Sequence, residues 1–324
     1  MSPGDMGPPP RRLLFVAANP SIDRLYEVDR LVAGTIHRPQ SIVAVPGGKG
    51  LNAARAAATL GGTVTAVGIV AGRAGDWIVE RLAALAIDAR MARSSGETRT
   101  CISVLDRSSG AMTEFYERGD EIERAAWDAL EAIVETELEA GDVAAVALSG
   151  SLPLGAPPDG YGRIARMAAA HPRPVPVFGD TFGPALAAVL IEGPAVVKLN
   201  ADEAGQSSAM AVSDASSAAE AGAVLRELGA TWAVVTLRSA GAVVVGPGDQ
   251  VHLLPPDVRG AYPVGSGDAF LGGLAVAYAR GEPVVEAARL GLAAGIANAQ
   301  IPGAGELDPT AVDGILGRIT QVSM

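Results

Sequence analysis

Short apolar runs alternate with longer helical patterns over the chain from residue 122 onward. The apolar runs are rich in β-branched residues, are bounded by polar ones, and lie at 143–148, 175–178, 195–199 and 232–237. Runs of this kind are typical of a parallel sheet that is covered on both faces. Helical spacing is predicted at 122–139, 161–170, 184–190, 201–210 and 215–228. The alternation predicts an α/β fold around a mostly parallel central sheet.

The remaining parts of the chain add elements of other kinds. Buried strands are predicted at 13–18 and 63–70, and an amphipathic helix at 75–86. Alternating apolar and charged positions at 25–45 indicate a pair of exposed strands outside the main sheet, and 96–116 reads as a hairpin. Another hairpin is predicted at 242–254, and apolar helices are predicted at 269–281 and 291–299.

Polar residues follow several of the predicted parallel strands, at the point where each strand ends. Ligands of such sheets gather at the carboxyl ends of the strands. The polar positions expected along that edge are Asn19, Ser149, Asp180, Asn200, Thr236 and the turn at Gly265. The sequence therefore predicts a ligand site along this edge.

A glycine-rich turn at 263–268 leads directly into an apolar helix. Unpaired backbone N–H groups and the positive end of the helix dipole make such a turn a binding site for phosphate oxygens. Asp268 lies at the mouth of the turn. A carboxylate beside an anion site suits a group that takes a proton from whatever attacks the phosphate. A glycine turn followed by a capping aspartate is the structural alternative.

Three glycines surround Lys49 at 47–50 and precede an Ala-rich helical run that contains Asn52. This pattern gives a loop of close backbone approach, one fixed cation and one amide at a helix start. The spacing formally fits a dinucleotide fingerprint. Two features disfavour that interpretation: Pro46 interrupts the preceding strand, and no acidic residue lies about twenty positions on to hold a ribose.

Three further candidates each have a structural alternative. Asp23 could accept hydrogen bonds from the hydroxyls of a small ligand, although Asn-Pro and Ser/Asp are ordinary turn formers. Arg99 is a candidate bidentate phosphate ligand or a surface arginine. Asn200 and Glu203 could orient metal-bound water beside phosphates, or form a helix cap with Glu three residues on.

Composition narrows the class of protein. Of the 324 residues, 36 are acidic and 25 basic, with no basic block, which argues against a nucleic-acid surface. The single cysteine, Cys101, excludes an intrachain disulfide and indicates a reducing, cytoplasmic compartment. The Pro- and Gly-rich residues 1–10 are expected to be a disordered tail, and no membrane span is expected. The only lysines, Lys49 and Lys198, both fall in segments selected on other grounds.

Taken together, the motifs resemble the PfkB family of ribokinase-like carbohydrate kinases. The resemblance rests on four ordered motifs at 47–56, 149–153, 200–203 and 264–270, and it covers nearly the whole chain after residue 10. It implies a three-layer α/β/α sandwich formed by one domain at 11–324, with a small β-sheet lid made of segments at about 20–45 and 96–118. In this family the lid is often a dimer interface.

The resemblance also implies roles for individual residues and the cofactors ATP and Mg²⁺. Asp268 would be the general base, and the backbone of Gly265, Ser266 and Gly267 would form an anion hole. The residues implied to bind the sugar phosphate are Asn19, Asp23, Gly48, Lys49, Asn52, Arg99 and Ser149. Those implied to bind the nucleotide are Lys198, Asn200, Thr236, Gly241 and Asn298. Glu203, with Asn200, would hold Mg²⁺ through water.

Within the family, the segments 19–23, 96–101 and 263–268 resemble those of hexose-phosphate kinases, chiefly the 1-phosphofructokinase and tagatose-6-phosphate kinase branches. The implied substrates are fructose 1-phosphate, tagatose 6-phosphate and fructose 6-phosphate. Departures from the family pattern are Leu199 for a proline, 261–263 for an Asp/Ser-Thr lead-in, and 180–183 for Asp-x-Ser-Gly. A kinase for an unphosphorylated sugar or nucleoside, and a non-catalytic sugar-phosphate sensor, are the alternatives.

Overall fold

The computed structural model describes residues 11–324, so the tail expected at 1–10 lies outside the described residues. The strands are β1 (Arg12–Ala17), β2 (Ser21–Val28), β3 (Ser41–Gly47), β4 (Val64–Val70), β5 (Asp88–Arg93), β6 (Thr100–Asp106), β7 (Ala111–Tyr116), β8 (Val143–Ser149), β9 (Val177–Asp180), β10 (Val196–Asn200), β11 (Trp232–Thr236), β12 (Ala242–Val245), β13 (Gln250–Leu254) and β14 (Thr320–Ser323). The helices are α1 (Lys49–Thr59), α2 (Gly72–Ala84), α3 (Arg124–Glu139), α4 (Gly160–Ala170), α5 (Gly183–Ile191), α6 (Ala201–Ser208), α7 (Ala215–Glu227), α8 (Ser266–Ala279), α9 (Val284–Asn298) and α10 (Pro309–Leu316).

The large sheet has the strand order β14-β13-β12-β11-β10-β9-β8-β1-β4-β5 in the described part of the chain. Strands β11 through β5 in this order run parallel, whereas β12, β13 and β14 are antiparallel to their neighbours. Parallel strands bring their carboxyl ends to one edge. The predicted mostly parallel sheet is confirmed, and its strands end side by side at that edge.

Helices cover both faces of the large sheet, as alternate residues of β1 illustrate. Leu13, Phe15 and Ala17 pack into a core shared with α1, α8 and α9. Leu14 and Val16 point the other way, into a core shared with α3 and α4. Because side chains alternate across a strand, buried residues on both faces require a helical layer on each side. The fold is the three-layer α/β sandwich that the sequence predicts.

A separate sheet of order β3-β2-β6-β7 stands outside the large one. Strands β2 and β6 pair in parallel, and β3 and β7 add to them antiparallel. This four-stranded group, called the small sheet below, corresponds to the predicted strands at 25–45 and the hairpin at 96–116. The chain passes directly from β1 of the large sheet into β2 of the small sheet. The small sheet therefore lies over the edge where the parallel strands end.

Three elements were not predicted from the sequence. Strands β5 and β14 form the two edges of the large sheet, and α10 covers part of the core between them. Helix α9 also begins at Val284, well before the predicted start at residue 291. Within residues 11–324, no helix is long and apolar enough to cross a membrane.

Candidate active site

A cleft of about 1440 Å³ runs along the carboxyl edge of the large sheet, below the small sheet. It collects nearly all of the residues that the sequence singled out. The predicted residues that line it are Asn19, Asp23, Gly48, Lys49, Asn52, Arg99, Ser149, Lys198, Asn200, Thr236, Gly241, Gly265, Ser266, Gly267 and Asp268. Residues separated by up to 249 positions in sequence thus meet in one cleft.

Helix α8 begins in the cleft, at the predicted glycine turn. Gly265 adopts a left-handed conformation with φ of 85° at the helix start. A Cβ atom there would lie 2.6 Å from Cα of Ala304, so both the backbone conformation and the packing require glycine. The first turn of a 14-residue helix directs its N–H groups and positive dipole end into the cleft. This geometry suits an anion.

Asp268 lies in that first helical turn and is only 8% exposed. Its Oδ2 accepts a hydrogen bond of 3.0 Å from Nδ2 of Asn52. Burial, followed by the negative charge of Asp180, raises the pKa of Asp268 to about 6, although Lys49 and Lys198 act in the opposite direction. A carboxylate with a pKa near 6 is a better proton acceptor at neutral pH than an ordinary aspartate.

Asp23 and Asn52 form a polar wall beside Asp268. Oδ2 of Asp23 accepts hydrogen bonds of 3.2 Å from both the Gly48 amide and Nδ2 of Asn52. Oδ1 of Asp23 accepts one of 2.6 Å from the Ser21 hydroxyl. Gly48, with φ of 84°, lets the chain turn tightly between β3 and α1. Carboxylate and amide groups placed in this way can bind the hydroxyls of a sugar.

Arg99 lines the same cleft from the small-sheet side. Its Nη2 donates to the Asn19 carbonyl at 3.0 Å, and its Nη1 donates to the Glu117 carbonyl at 3.2 Å. Nδ2 of Asn19 in turn donates to the Ser151 hydroxyl at 3.1 Å. Both acceptors of Arg99 are neutral backbone groups, so its charge is not cancelled by a bonded carboxylate. The guanidinium is therefore a suitable partner for an anionic ligand group.

Asp180 forms salt bridges with both lysines of the cleft, Lys49 and Lys198. It is fully buried at the end of β9, and it lies 3.1 Å from Nζ of Lys49 and 2.7 Å from Nζ of Lys198. Burial disfavours its charged form, but the two lysines outweigh burial and lower the pKa of Asp180. From the sequence, Asp180 was expected at this edge of the large sheet, but no role was predicted for it. Its pairing joins residues up to 131 positions apart and could not be read from spacing.

Asn200 and Glu203 form the helix cap that was the structural alternative. Oδ1 of Asn200 accepts from the Glu203 amide at 2.9 Å, and Oε2 of Glu203 accepts from the Asn200 amide at 3.1 Å. Oε1 of Glu203 also lies 2.6 Å from Nζ of Lys49. Glu203 is not among the residues that line the cleft, whereas Asn200 is.

The donor set near this cap limits how a metal ion could be held. Within residues 11–324, no group of three or more His, Cys, Asp or Glu side chains is arranged to bind one. Mg²⁺ commonly keeps several waters and needs one or two carboxylates besides substrate phosphates. Each carboxylate oxygen of Glu203 already accepts one hydrogen bond, from Lys49 or from the Asn200 amide, and has one further lone pair for metal-bound water. The residues therefore fit Mg²⁺ held mainly by nucleotide phosphates and water, and do not fit a protein cage.

Thr236 and Gly241 line the far end of the cleft. The Thr236 hydroxyl donates to the Leu199 carbonyl at 3.4 Å. Gly241 has φ of 94°, and a Cβ atom there would lie 2.0 Å from the Leu253 carbonyl oxygen. The turn that carries Gly241 can therefore approach a ligand closely without a side chain in between.

Besides Glu203, two predicted site residues, Asn298 and Ser149, have surroundings that differ from expectation. Asn298 was expected at the adenine region, but it is fully buried and does not line the cleft; its Nδ2 donates to the Gly303 carbonyl at 3.0 Å. It holds a turn behind the start of α8, while its neighbours Gly295 and Ala299 line the cleft. Ser149 does line the cleft, yet its side chain is 1% exposed and its hydroxyl has no partner.

A mostly parallel, three-layer α/β sandwich with a small separate sheet is the ribokinase-like fold. The family model described as pfkB family carbohydrate kinase matches residues 16–311, and the chain belongs to this family. It is therefore a carbohydrate kinase, and kinases of this family use ATP.

Solved structures of sugar and sugar-phosphate kinases share the fold. Phosphofructokinase-2 from Escherichia coli in complex with fructose-6-phosphate is 26% identical, with a TM-score of 0.84 over 95% of this chain and 99% of that one. A possible 1-phosphofructokinase from Thermotoga maritima is 22% identical, with a TM-score of 0.86 over 97% and 99%. Ribokinase from Arabidopsis thaliana with ribose and ATP is 21% identical, with a TM-score of 0.72 over 95% and 98%.

Proposed function

We propose that this kinase transfers the γ-phosphoryl group of ATP to a hydroxyl of a ketohexose monophosphate and releases the bisphosphate. The candidate acceptors are fructose 1-phosphate, tagatose 6-phosphate and fructose 6-phosphate. The observation that carries the proposal is that a buried carboxylate, Asp268, and a cation bonded only to neutral acceptors, Arg99, line one cleft. Asp23 and Asn52 contribute polar groups to the same cleft.

Asp268 is the general base in this proposal. A bond forms between the acceptor oxygen and the γ-phosphorus as the bond to the β–γ bridging oxygen breaks, and the hydroxyl proton passes to Asp268. The pKa near 6 keeps Asp268 ionised at neutral pH and close enough in proton affinity to accept the proton. Asn52 donates to the same carboxylate and so fixes its orientation.

The start of α8 stabilises the transferred group. Backbone N–H groups of Gly265, Ser266 and Gly267 and the helix dipole face the cleft where negative charge is spread over the phosphoryl oxygens. Lys198 supports this region, because its Nζ lies 3.1 Å from the position that a Cβ of Gly267 would take. Lys49 adds a second positive charge from the opposite side of Asp180.

The nucleotide occupies the part of the cleft that Lys198, Asn200, Thr236 and Gly241 line. Asn298 acts there indirectly, through the turn that it holds. Glu203, with Asn200, would hold Mg²⁺ through water, and the ion would supply charge neutralisation for the phosphates. Lys49 lies between the sugar-binding and nucleotide-binding parts of the cleft, because its Nζ contacts both Asp180 and Glu203.

The small sheet serves as the lid, within one kinase domain at 11–324, and pairs two chains into a homodimer. Register places Ile42 and Phe115 on the face directed away from the cleft, where they are 57% and 58% exposed. Ile42 lies on one edge strand of the small sheet and Phe115 on the other, so exposed apolar side chains at both sides of this face support an interface. Sedimentation or light scattering tests this part, and a monomer at micromolar concentration would contradict it.

One observation favours a second candidate, an unphosphorylated sugar. Glu114 and Asp23 both line the small-sheet end of the cleft, where a substrate phosphate would lie with Arg99. Two carboxylates there suit hydroxyl groups better than a phosphate. A non-catalytic sensor is disfavoured, because Asp268 and the Gly265 turn are both intact.

A coupled ADP-release assay decides between these substrates. The purified chain is given ATP and Mg²⁺ with fructose 1-phosphate, tagatose 6-phosphate, fructose 6-phosphate, ribose or adenosine. We expect the highest kcat/KM with one of the three ketohexose phosphates. Faster turnover of ribose or adenosine would overturn the proposal, and absence of turnover with all five would favour the sensor.

A further inference from the structure

Arg55 is a buried cation that the proposed reaction does not use. It lies in α1, one turn after Asn52, and is 2% exposed. Arginine is almost never fully buried unless it is paired. Burial lowers the pKa of Arg55, while the carboxylates of Glu306, Asp23 and Asp268 act in the opposite direction. Burial of this charge is unfavourable, and Arg55 lies behind Asp23 and Asp268, two carboxylates of the cleft. A functional role of Arg55 would explain this burial.

The guanidinium of Arg55 joins two parts of the chain. Its Nη1 donates to the carbonyl of Pro46, in β3, at 2.6 Å. Its Nη2 donates to the carbonyl of Ala304 at 2.5 Å and to Oε1 of Glu306 at 3.0 Å. One planar group thus holds the end of a small-sheet strand and the turn at residues 303–306, called the 303–306 turn below. No other side chain described in residues 11–324 hydrogen bonds to both.

The 303–306 turn lies directly against the anion site. Cα of Ala304 lies 2.6 Å from the position that a Cβ of Gly265 would take. The carbonyl oxygen of Asn52 lies 2.6 Å from the corresponding position at Gly305. The turn is therefore wedged between the glycine that starts α8 and the helix that carries Asn52. A shift of this turn must move the anion site, the Asn52 amide, or both.

The turn has little support from regular secondary structure. Gly303 and Gly305 both have positive φ, and the Glu306 amide donates to the Gly303 carbonyl at 3.1 Å. From one side Asn298 donates to the Gly303 carbonyl, and from the other Arg55 holds Ala304 and Glu306. Arg55 is the one of these two anchors that also reaches the small sheet.

We propose that Arg55 is a positioning residue for phosphoryl transfer: it fixes the 303–306 turn behind Gly265 and the end of β3 together, so that the anion site and the sugar-side sheet keep one relative position. The proposal rests on the proposed function only in taking the start of α8 as the site of the transferred group. It applies equally to an unphosphorylated sugar substrate.

The test compares Arg55→Ala with a matched variant, Arg12→Ala. Arg12 starts β1, at the end of that strand that is remote from the cleft. Arg12 is also ion-paired, to Glu137 and Asp142, with 13% side-chain exposure, but it contacts neither β3 nor the 303–306 turn. We expect kcat of Arg55→Ala to fall about 10²-fold, because a misplacement of about 1 Å has that effect. The KM for ATP should change little. Arg12→Ala should lose thermal stability and retain kcat.

Chemical rescue separates positioning from general stability. Millimolar guanidinium should refill the cavity in Arg55→Ala and recover part of kcat, whereas urea, its neutral isostere, should not. Neither should raise kcat of Arg12→Ala. Rescue by urea as well, or by neither compound, would overturn the proposal. So would a fall in kcat that matches the folded fraction lost.

Two milder variants keep the proposal testable if Arg55→Ala does not fold. Arg55→Lys keeps the charge without the planar fork, and Glu306→Gln changes a partly exposed partner. Amide hydrogen exchange without sugar should show faster exchange at both 47–48 and 303–306 in these variants. Unchanged exchange and wild-type kcat in both would refute the role of Arg55. The substrate assay can fail independently, because exchange requires no substrate.

Discussion

Nδ2 of Asn52 lies 3.0 Å from Oδ2 of Asp268, and the same nitrogen lies 3.2 Å from Oδ2 of Asp23. One amide therefore bridges the carboxylate at the start of α8 and a carboxylate of the small sheet. The bridge is well placed to order the acceptor sugar relative to Asp268, the proposed base. It also explains why Asp268 stays oriented in spite of the charge of Asp180 nearby.

Replacement of Asp268 by asparagine should remove the proposed general base and preserve the shape of the side chain. We expect kcat to fall about 10²–10⁴-fold with little change in the KM for sugar or ATP. Asp128→Asn, on an exposed face of α3, is the control and should retain kcat. Steady-state kinetics at saturating ATP measures both variants. Wild-type kcat in Asp268→Asn would contradict the assignment of Asp268 as the general base.

The raised pKa of Asp268 predicts the acidic limb of the pH profile. Below about pH 6 the carboxyl is protonated and cannot accept a proton, so kcat/KM should fall as pH drops through 6. Asp180→Asn removes a negative charge and leaves Lys49 and Lys198 facing Asp268, so the limb should move to lower pH. A limb that stays in place, or moves upward, would contradict this electrostatic account.

Burial of Asp268 should reduce stability at high pH. The unfolded pKa is 3.8 and the folded one about 6, so the folded state binds more protons between these values. Stability associated with Asp268 is therefore complete below about pH 4 and lost as pH rises through 6, a difference of about 3 kcal/mol. Asp268→Asn should raise Tm at pH 8 and have a smaller effect at pH 5. Thermal scans at both values check the sign; equal shifts would refute it.

Arg99→Ala should weaken binding of the sugar phosphate alone. Loss of a charged hydrogen-bonding partner, about 1.5–3 kcal/mol, predicts a KM for the sugar phosphate raised about 10- to 100-fold and an unchanged KM for ATP. Arg107→Ala is a matched control, because Arg107 also belongs to the small-sheet region but donates to exposed Gln40. Parallel changes in both KM values would assign Arg99 a structural role.

Two glycine variants at the start of α8 should separate folding from catalysis. Gly265→Ala would place Cβ 2.6 Å from backbone atoms at a φ of 85°, so both Tm and kcat should fall. At Gly267 the nearest atom to a Cβ is the movable Nζ of Lys198, at 3.1 Å. Gly267→Ala should keep or raise Tm, since alanine favours the helix by about 1 kcal/mol, and still lower kcat. Wild-type kcat in Gly267→Ala would argue against an anion site there.

The parallel sheet and its polar edge were predictable because each buried strand is a continuous apolar run that ends in a polar residue. Strands β5 and β14 were not, since they are the two edges of the sheet. Edge strands bury little and are commonly polar. β14 is exposed at every position, and β5 is buried only at Ala92. Neither carries the apolar signal on which the other predictions rest.

The motifs predicted which residues meet in the cleft, but not how they pair. Lys49 was expected at the sugar phosphate, yet its ammonium contacts Asp180 and Glu203, which are 131 and 154 positions away. Asn298 has a polar side chain near the end of an apolar helix, and nothing local shows that it turns inward to Gly303. Long-range pairing depends on the assembled fold, so sequence spacing does not contain it.

The pairing of both lysines with Asp180 has a chemical consequence for the whole molecule. No side-chain amine lies outside this pair, because every other basic residue except histidine is arginine. Lys198 is 3% exposed and Lys49 29%, and both are ammonium partners of a buried carboxylate. Amine-directed acylating reagents and lysine-modifying enzymes thus find side-chain amines only inside the cleft. Any lysine acylation of this protein would therefore neutralise a charge of the proposed reaction centre.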